Sequence, residues 1–281
     1  MHRQTRDLTE GKPLPLTEGS PIRLLISFAL PLMVGNVFQQ MYTVVDTAVV
    51  GKALGVGALA ALGASDWLNW MMLGVIQGLT QGFGIMMAQD FGSRQMDRLR
   101  RTIGASAVLS AIGALVLLAV GQVAIAPILR LLQTPDAIQG DTVLYLRIMF
   151  GGVPVVMAYN LFAGMIRSLG DSKTPLYAMM VASCVNIGLD LLFVLVFHWG
   201  IFGAAIATVS AQLVSFLYCL VKISKIEYVS LAKANWVPDG KMIKELLLFG
   251  LPLALQYIVI AGSGMVMQST INQHGSLFVA G

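Results

Sequence analysis

The stretch IGASAVLSAIGALVLLAVGQVAIAPI, residues 103–128, contains no Asp, Glu, Lys or Arg in twenty-six consecutive positions. An apolar run of about 18 residues or more is long enough to cross the hydrocarbon core of a bilayer as a helix. The strands of a membrane barrel would instead alternate apolar and polar residues over about ten positions. The stretch therefore predicts a transmembrane helix and, with it, an all-α membrane protein.

The rest of the chain has the same composition. Hydrophobic residues make up 57% of the 281 positions and charged residues 11%, whereas roughly a quarter of a soluble domain is charged. Two cysteines, Cys184 and Cys219, lie in apolar segments, where packing is a better interpretation than a disulfide. With residues 103–128 we predict seven spans, the other six being 24–50, 58–88, 143–165, 176–197, 201–221 and 243–270.

The basic residues are distributed unevenly between the two predicted sides of the membrane. With the N-terminus in the cytoplasm, fifteen of the eighteen Lys and Arg residues are cytoplasmic, and only Lys52, Arg130 and Arg147 are outside. This asymmetry obeys the positive-inside rule and predicts a multi-pass membrane protein with a cytoplasmic N-terminus, and we expect it in a bacterial cell membrane. It also accounts for the net charge of +4, so we expect the lipid bilayer as a partner and no nucleic acid.

An internal repeat predicts the domain organisation. Residues 19–32, GSPIRLLISFALPL, and residues 240–253, GKMIKELLLFGLPL, share Gly, Ile, Leu, Phe, Leu, Pro and Leu in one register. Such repeats are the usual construction of secondary transporters. We expect a protein of about twelve spans of which this chain is a fragment that does not transport alone. Its predicted parts are a cytoplasmic tail at 1–22, a six-helix lobe at 23–221, a cytoplasmic linker at 222–242 and the first helix of a second lobe at 243–281.

Three acids, Asp46, Asp66 and Asp190, lie inside apolar segments. A carboxylate at membrane depth is costly, so such residues usually face the interior of the bundle and serve a function. Asp66 lies nearer a helix end, where a position at the membrane interface is an equally good interpretation. Asp46 and Asp190 each belong to a polar stripe at helical spacing, the one running from Asn36 and the other from Ser183.

A third polar stripe, with Thr208 and Gln212, follows the sixth span. Three stripes that face one another would form a small, hydrated cavity rich in oxygen atoms. Carboxylate, amide and hydroxyl oxygens suit Na⁺, and a carboxyl group in a low-dielectric setting is easily protonated, which suits a proton relay. These residue types suit Na⁺ and a proton equally well, so they do not identify the coupling ion.

Glycines and prolines inside the spans predict packing and bends. Gly74, Gly78 and Gly82 repeat at four-residue intervals, as expected for close helix packing, and a second small-residue face has Gly51, Gly55 and Gly57. Proline removes a backbone hydrogen bond within a helix. The prolines at 31, 154 and 252 therefore predict either fixed bends or hinges.

Three alternatives compete with the transport of small solutes. An intramembrane aspartyl protease would need paired Tyr-Asp and Gly-x-Gly-Asp motifs, which are absent, as are serine-nucleophile and metal motifs; we therefore expect no enzyme. A flippase for lipid-linked oligosaccharides would favour cationic residues in its cavity, whereas the acids found in these spans argue against an anionic lipid. A regulatory or non-transporting fragment remains a further alternative.

Three motifs give the chain a family resemblance. PLMVGNVFQQMYTVVDTAVVG, residues 31–51, resembles the first helix of the multidrug and toxic compound extrusion (MATE) family, and RSLGDSKTP, residues 167–175, resembles that family's loop between helices four and five. NIGLD, residues 186–190, together with Thr208, resembles the ion site of the amino-terminal lobe. The resemblance implies twelve helices in two lobes, a monomer, and export of organic, often cationic, drugs in exchange for Na⁺ or H⁺.

The resemblance also implies roles for individual residues. The coupling ion, or Na⁺ as a bound metal, would be carried by Asp46, Asn186, Asp190 and Thr208, with no other cofactor. Branches of the family with an acid on the seventh helix are not matched here. The candidates for the substrate cavity are Asn36, Gln40, Tyr42, Thr43, Asp66, Gln212 and Gln256.

Overall fold

The computed structural model describes residues 21–226 and 239–272, apart from the side chains of Pro21, Arg23 and Tyr42. Predictions made for residues 1–20, 227–238 and 273–281 lie outside these ranges. The described residues are almost entirely helical, as the sequence predicts. Their helices are α1 (Pro21–Leu54), α2 (Val56–Gly92), α3 (Met96–Leu131), α4 (Asp136–Gly151), α5 (Val153–Ser168), α6 (Lys173–Asp190), α7 (Gly200–Ile223) and α8 (Gly240–Asn272).

Within these ranges six helices are long and apolar enough to cross a membrane: α1, α2, α3, α6 with its π-helical extension Leu191–Val196, α7 and α8. A bent pair, α4 and α5, makes a seventh span if it is counted as one. The predicted number of spans is therefore obtained only with that pair included.

The predicted span at 143–165 is bent, as Pro154 predicts, because α4 and α5 meet at an angle of 47°. The break falls at Gly152, and Pro154 lies in the first turn of α5, where a missing backbone N–H costs nothing. A Cβ atom at position 152 would lie less than 3.0 Å from the side chain of Val209 on α7. The bend and the close approach of α7 therefore depend on the same glycine.

Helix α2 lies at the centre of the described bundle and contacts α1, α3, α4, α5 and α8. One of its faces, with Leu68, Met72 and Ile76, is fully buried in the apolar core. Helix α1, by contrast, lies at the edge against α6. Of its described side-chain positions only Gly35 and Val50 are buried.

A second face of α2 packs against α8 through glycines. A Cβ atom at Gly74, Gly78 or Gly82 would lie less than 3.0 Å from α8, and for Gly78 and Gly82 the nearest atoms are backbone. The predicted close packing of this face is confirmed. The prediction is wrong for Gly55 and Gly57, because a Cβ atom at either position would have no atom of the described residues within 4 Å. Gly55 instead provides the positive φ of 82° in the turn between α1 and α2. We call this end of the bundle the Gly55 end.

A polar cluster joins α2, α3 and α8 at the opposite end, which we call the Asp90 end. The Asp90 carboxylate is buried, accepts a hydrogen bond from Thr102 Oγ1 at 2.6 Å and pairs with Arg98 Nε at 3.1 Å. Arg98 Nη2 also donates to Glu245 Oε2 of α8 at 2.8 Å. The arginine therefore neutralises a buried acid and ties α8 to the turn between α2 and α3.

Replacing Arg98 with methionine is expected to lower the free energy of unfolding by about 2 kcal/mol. The change leaves the buried Asp90 carboxylate without a cation, which is the costly way to break an ion pair, although the 45% exposure of Arg98 admits some water. Thermal unfolding of the purified chain measures the loss. Arg101→Met, at an exposed position one turn away, is the control and should change stability by no more than about 0.5 kcal/mol. Equal effects of the two substitutions would contradict this account.

Candidate functional site

The candidate ion-coupling residues come from three helices that contact one another. Asp46 lies on α1, Asn186 and Asp190 lie on α6, and Thr208 lies on α7. Asn186 and Asp190 are 1% and 0% exposed. The helical spacing of the two α6 residues therefore turns both side chains into the protein, as the sequence predicts.

The carboxyl groups of Asp46 and Asp190 lie within hydrogen-bonding reach of each other. An ionised carboxylate only accepts hydrogen bonds, so two ionised groups repel and form none. If one group carries a proton, it can donate to the other. The pair is therefore a place where a proton or a metal cation between the two groups relieves a repulsion.

The side-chain amide of Asn186, next to the acid pair, has no hydrogen-bond partner among the described residues. Both side-chain atoms of Asn186, both carboxylate oxygens of Asp190 and Oδ1 of Asp46 are buried and make no conventional hydrogen bond among the described residues. In folded proteins most buried polar atoms are satisfied, so each exception calls for an explanation. Several exceptions gathered on two facing helices indicate a site that binds something polar.

Helix α7 adds the remaining candidate ligands. Positions 178 and 215 face each other across α6 and α7, as do positions 193 and 203. Because the two helices run antiparallel, this register puts Thr208 across from Asn186. The Thr208 hydroxyl donates to the carbonyl oxygen of Ala204 at 3.1 Å, so its oxygen can still accept a hydrogen bond or bind a cation. One turn further along α7, Gln212 Oε1 is buried without a partner.

The donor set fits a sodium ion in its chemistry. It contains two carboxylates, an amide oxygen and a hydroxyl oxygen, which are hard ligands of the kind that Na⁺ prefers. Among the described residues no group of three or more His, Cys, Asp or Glu side chains could hold a metal ion.

A π-helical segment, Leu191–Val196, begins directly after Asp190. Such segments are rare and are often found at functional sites. Phe193 of this segment stacks on Phe197 and Trp199, which follow the segment, at centroid distances of 6.0 and 4.9 Å. The sequence does not predict the segment, because an apolar run such as LLFVLV has no local signal that separates a π-helix from an α-helix.

The substrate-cavity candidates lie on more open surfaces. Asn36, Gln40 and Thr43 are exposed on α1, Asp66 is exposed on α2, and Gln256 is exposed on α8. Only Gln212 lies partly buried beside the ion-site residues of α7. The side chain of Tyr42 is outside the described part of the structure. The predicted cavity residues are therefore not gathered into one pocket within this chain.

One polar residue of α2 was missed by the sequence analysis. Asn69 Oδ1 is buried and has no hydrogen-bond partner in the part of the chain that the structure describes, and Asn69 lies three residues after Asp66 on the same helix. An amide in an apolar span was a visible signal, since such a group is expensive in a membrane unless it is paired or functional.

These features define a multi-pass membrane protein with a buried polar site in a six-span bundle. Residues 31–192 match the MatE family model, and the chain belongs to that family, the MATE multidrug efflux transporters. It is 32% identical over 270 residues to the probable multidrug resistance protein YpnP of Bacillus subtilis (strain 168), covering 96% of this chain and 60% of that protein. The probable multidrug resistance protein YoeA of the same organism is 29% identical, with 90% and 57% covered.

A solved structure has the same fold. The outward-facing conformation of a multidrug resistance MATE family transporter of the MOP superfamily superposes with a TM-score of 0.82 at 25% identity. The match covers 88% of this chain and 55% of that one. The chain thus spans about 60% or less of the length of these relatives.

Proposed function

We propose that the protein carrying this chain is a secondary active transporter, which exports organic, often cationic, compounds in exchange for Na⁺ or H⁺ by alternating access. The observation that carries the proposal is the pairing of half-buried Asp46 with buried Asp190, beside an Asn186 amide that has no partner among the described residues, in a chain of the MatE family. The relatives' names, which include multidrug resistance proteins, support organic compounds as the exported class.

The coupling ion acts by changing the force between α1 and α6. With both acids ionised, the two carboxylates repel and favour separation of Asp46 from Asp190. A proton or Na⁺ shared by the two groups turns repulsion into attraction and draws α1 onto α6. An ion shifts a conformational equilibrium only as far as it binds one state better, and here the better-bound state is the one with the two acids together.

The loose packing of α1 suits it to move in response. Along α1 the buried described positions are Gly35 and Val50, of which Gly35 faces Met179 and Leu176 of α6. Pro31 interrupts the backbone hydrogen bonds of α1 four residues before that contact. A helix held at few points, with a weak turn in its first half, can bend without disrupting a packed core.

The predicted orientation places the Asp90 end in the cytoplasm. Arg98, Arg101, Lys225 and Lys244 are on that end by their helix positions, whereas Lys52, Arg130 and Arg147 lie toward the Gly55 end. The excess of cations at the Asp90 end supports this orientation under the positive-inside rule. The Asp46–Asp190 pair then lies in the outer half of the membrane, and we propose that the transporter is a monomer.

The proposal is tested with the protein expressed from its complete gene and reconstituted into liposomes. Ethidium movement is followed by fluorescence under an imposed Na⁺ gradient and, separately, under an imposed proton gradient. We expect one of the two gradients to drive ethidium against its concentration. Movement that ignores both gradients, or no movement above empty liposomes, would overturn ion-coupled export.

A further inference from the structure

An arginine of α4, Arg147, lies on the exposed surface of the bundle among apolar side chains. Leu144, one turn before it on α4, is 40% exposed, and Val120 and Val123 on the neighbouring helix α3 are 58% and 77% exposed. An exposed apolar surface on membrane-spanning helices suits contact with lipid. A cation on such a surface is costly unless its charge reaches the polar edge of the bilayer.

Two contacts determine the level of Arg147 along α3. Gln122 Nε2 donates to the backbone carbonyl oxygen of Arg147 at 2.8 Å, and a Cβ atom at Gly121 would lie less than 3.0 Å from the ring of Phe150. Gln122 lies six residues before Ile128, the last residue of the uncharged run of α3. At a rise of 1.5 Å per residue the backbone of Arg147 is therefore about 9 Å inside the edge of that run.

The direction of α4 points this side chain toward the nearer membrane surface. Helix α4 begins at Asp136, at the Gly55 end, and the Cα–Cβ bonds of a helix are tilted toward its N-terminus. A long basic side chain can therefore lay its stem along apolar surface and bring its charge to the headgroups. Gly140 lies two turns before Arg147 on the same stripe, and a Cβ atom there would have no atom of the described residues within 4 Å. The helix thus leaves open space in the direction of the guanidinium.

No acid of the described residues neutralises Arg147. The described ion pairs join other residues. The acids of α4, Asp136 and Asp141, precede Arg147 by eleven and six residues, whereas a helical ion pair needs a spacing of three or four. The acid of α3, Asp97, lies in its first turn, at the Asp90 end. The charge is therefore available to an anion that comes from the membrane.

We propose that Arg147 binds the phosphate of an anionic phospholipid in the leaflet at the Gly55 end, with the headgroup over Gly140 and an acyl chain along the exposed valines of α3. A guanidinium matches a phosphate with two parallel hydrogen bonds. A zwitterionic lipid brings its own cation to its phosphate, and so gains less from the arginine. A free phosphate has no acyl chain to cover the apolar surface beside Gln122.

The test is native mass spectrometry of the purified 281-residue chain, titrated with phosphatidylglycerol or with phosphatidylcholine of the same acyl chains. We expect the first phosphatidylglycerol to bind about tenfold more tightly than phosphatidylcholine, and Arg147→Gln to remove this preference, because the variant loses a hydrogen bond between charged groups. Arg147→Lys should keep part of the preference, since lysine keeps the charge but not the planar fork. Gly140→Leu, which fills the open space, should weaken phosphatidylglycerol binding without removing a charge. Lys52→Gln, which removes an exposed cation at the same end, should bind as the parent does.

Four outcomes would overturn the lipid site. They are equal affinity of the parent for the two lipids, an unchanged preference in Arg147→Gln, an equal loss in Lys52→Gln, and displacement of phosphatidylglycerol by inorganic phosphate at an equal concentration. The last of these would show that the phosphate alone is recognised. If Arg147→Gln fails to fold, Gly140→Leu decides in its place, and full affinity in that variant would refute the site. The binding needs no ion gradient, so its result is independent of the proposed function.

Discussion

Replacing Gly78 with leucine is expected to separate α8 from α2 and to destabilise the chain more than any other single change considered for it. A Cβ atom at position 78 already falls within 3.0 Å of backbone atoms of Ala254 and Leu253. Backbone cannot rotate away as a flexible side chain can, so the whole of α8 must shift. Overpacking in a core costs about 1–3 kcal/mol and occasionally more, and we expect the upper part of that range.

The matched control is Gly57→Leu on the same helix, where nothing lies within 4 Å of the added Cβ atom. Leucine is the better helix former by roughly 1 kcal/mol, so this variant should be as stable as the parent or slightly more stable. Thermal unfolding of the purified parent and of the two variants measures the differences in stability. Contact between the helices is followed by fluorescence of Trp70, which packs on Tyr257. A Gly78→Leu chain with the parent's stability and spectrum would show that α8 does not pack as described.

Asp190→Asn is expected to stabilise the chain and to abolish its response to the coupling ion. The asparagine amide can donate to the Asp46 carboxylate, and a hydrogen bond to a charged group contributes about 1.5–3 kcal/mol. The variant thereby imitates the ion-bound state, in which α1 and α6 are drawn together. In the complete protein, ion-driven ethidium movement should fall at least tenfold.

The measurement compares unfolding temperatures in sodium chloride and choline chloride, and at pH 5.5 and pH 8. A ligand that binds only the folded state stabilises it by about 2.7 kcal/mol at a hundred times its dissociation constant. The parent should therefore respond to sodium or to acid, and Asp190→Asn to neither. Asp97→Asn, at an exposed position, should respond as the parent does. An unchanged response in Asp190→Asn would remove the acid pair from the coupling site.

Local spacing was enough to predict much of the candidate site. Asn186 and Asp190 are four residues apart in an apolar run, so a helix necessarily puts them on one face, and their cost in a membrane determines that the face is inward. The approach of Asp46 to Asp190 was a weaker inference, because it depends on how α1 packs against α6. The glycine spacing of α2 predicted a helix contact but did not identify α8 as the partner.

Features that depend on distant partners or on subtle backbone geometry were not predicted. The ion pair of Arg98 with Glu245 joins residues 147 positions apart. The sequence around either residue contains no pattern that identifies the other as its partner. Pro154 did mark the region of the bend between α4 and α5, but the residues alone did not decide between a fixed bend and a hinge, and they did not indicate that the break falls at Gly152. The domain boundaries and the ion-coupling roles stay predictions.

The π-helical segment after Asp190 has a consequence for how this helix could have been remodelled. A π-turn holds one residue more than an α-turn, and each residue of an α-helix rotates the chain by about 100°. Side chains beyond Val196 are therefore out of phase with those before Leu191 by about that angle. The polar residues that face α1 and the aromatic rings that stack at the helix end thus need not share a face, and a one-residue insertion would suffice to uncouple their orientations.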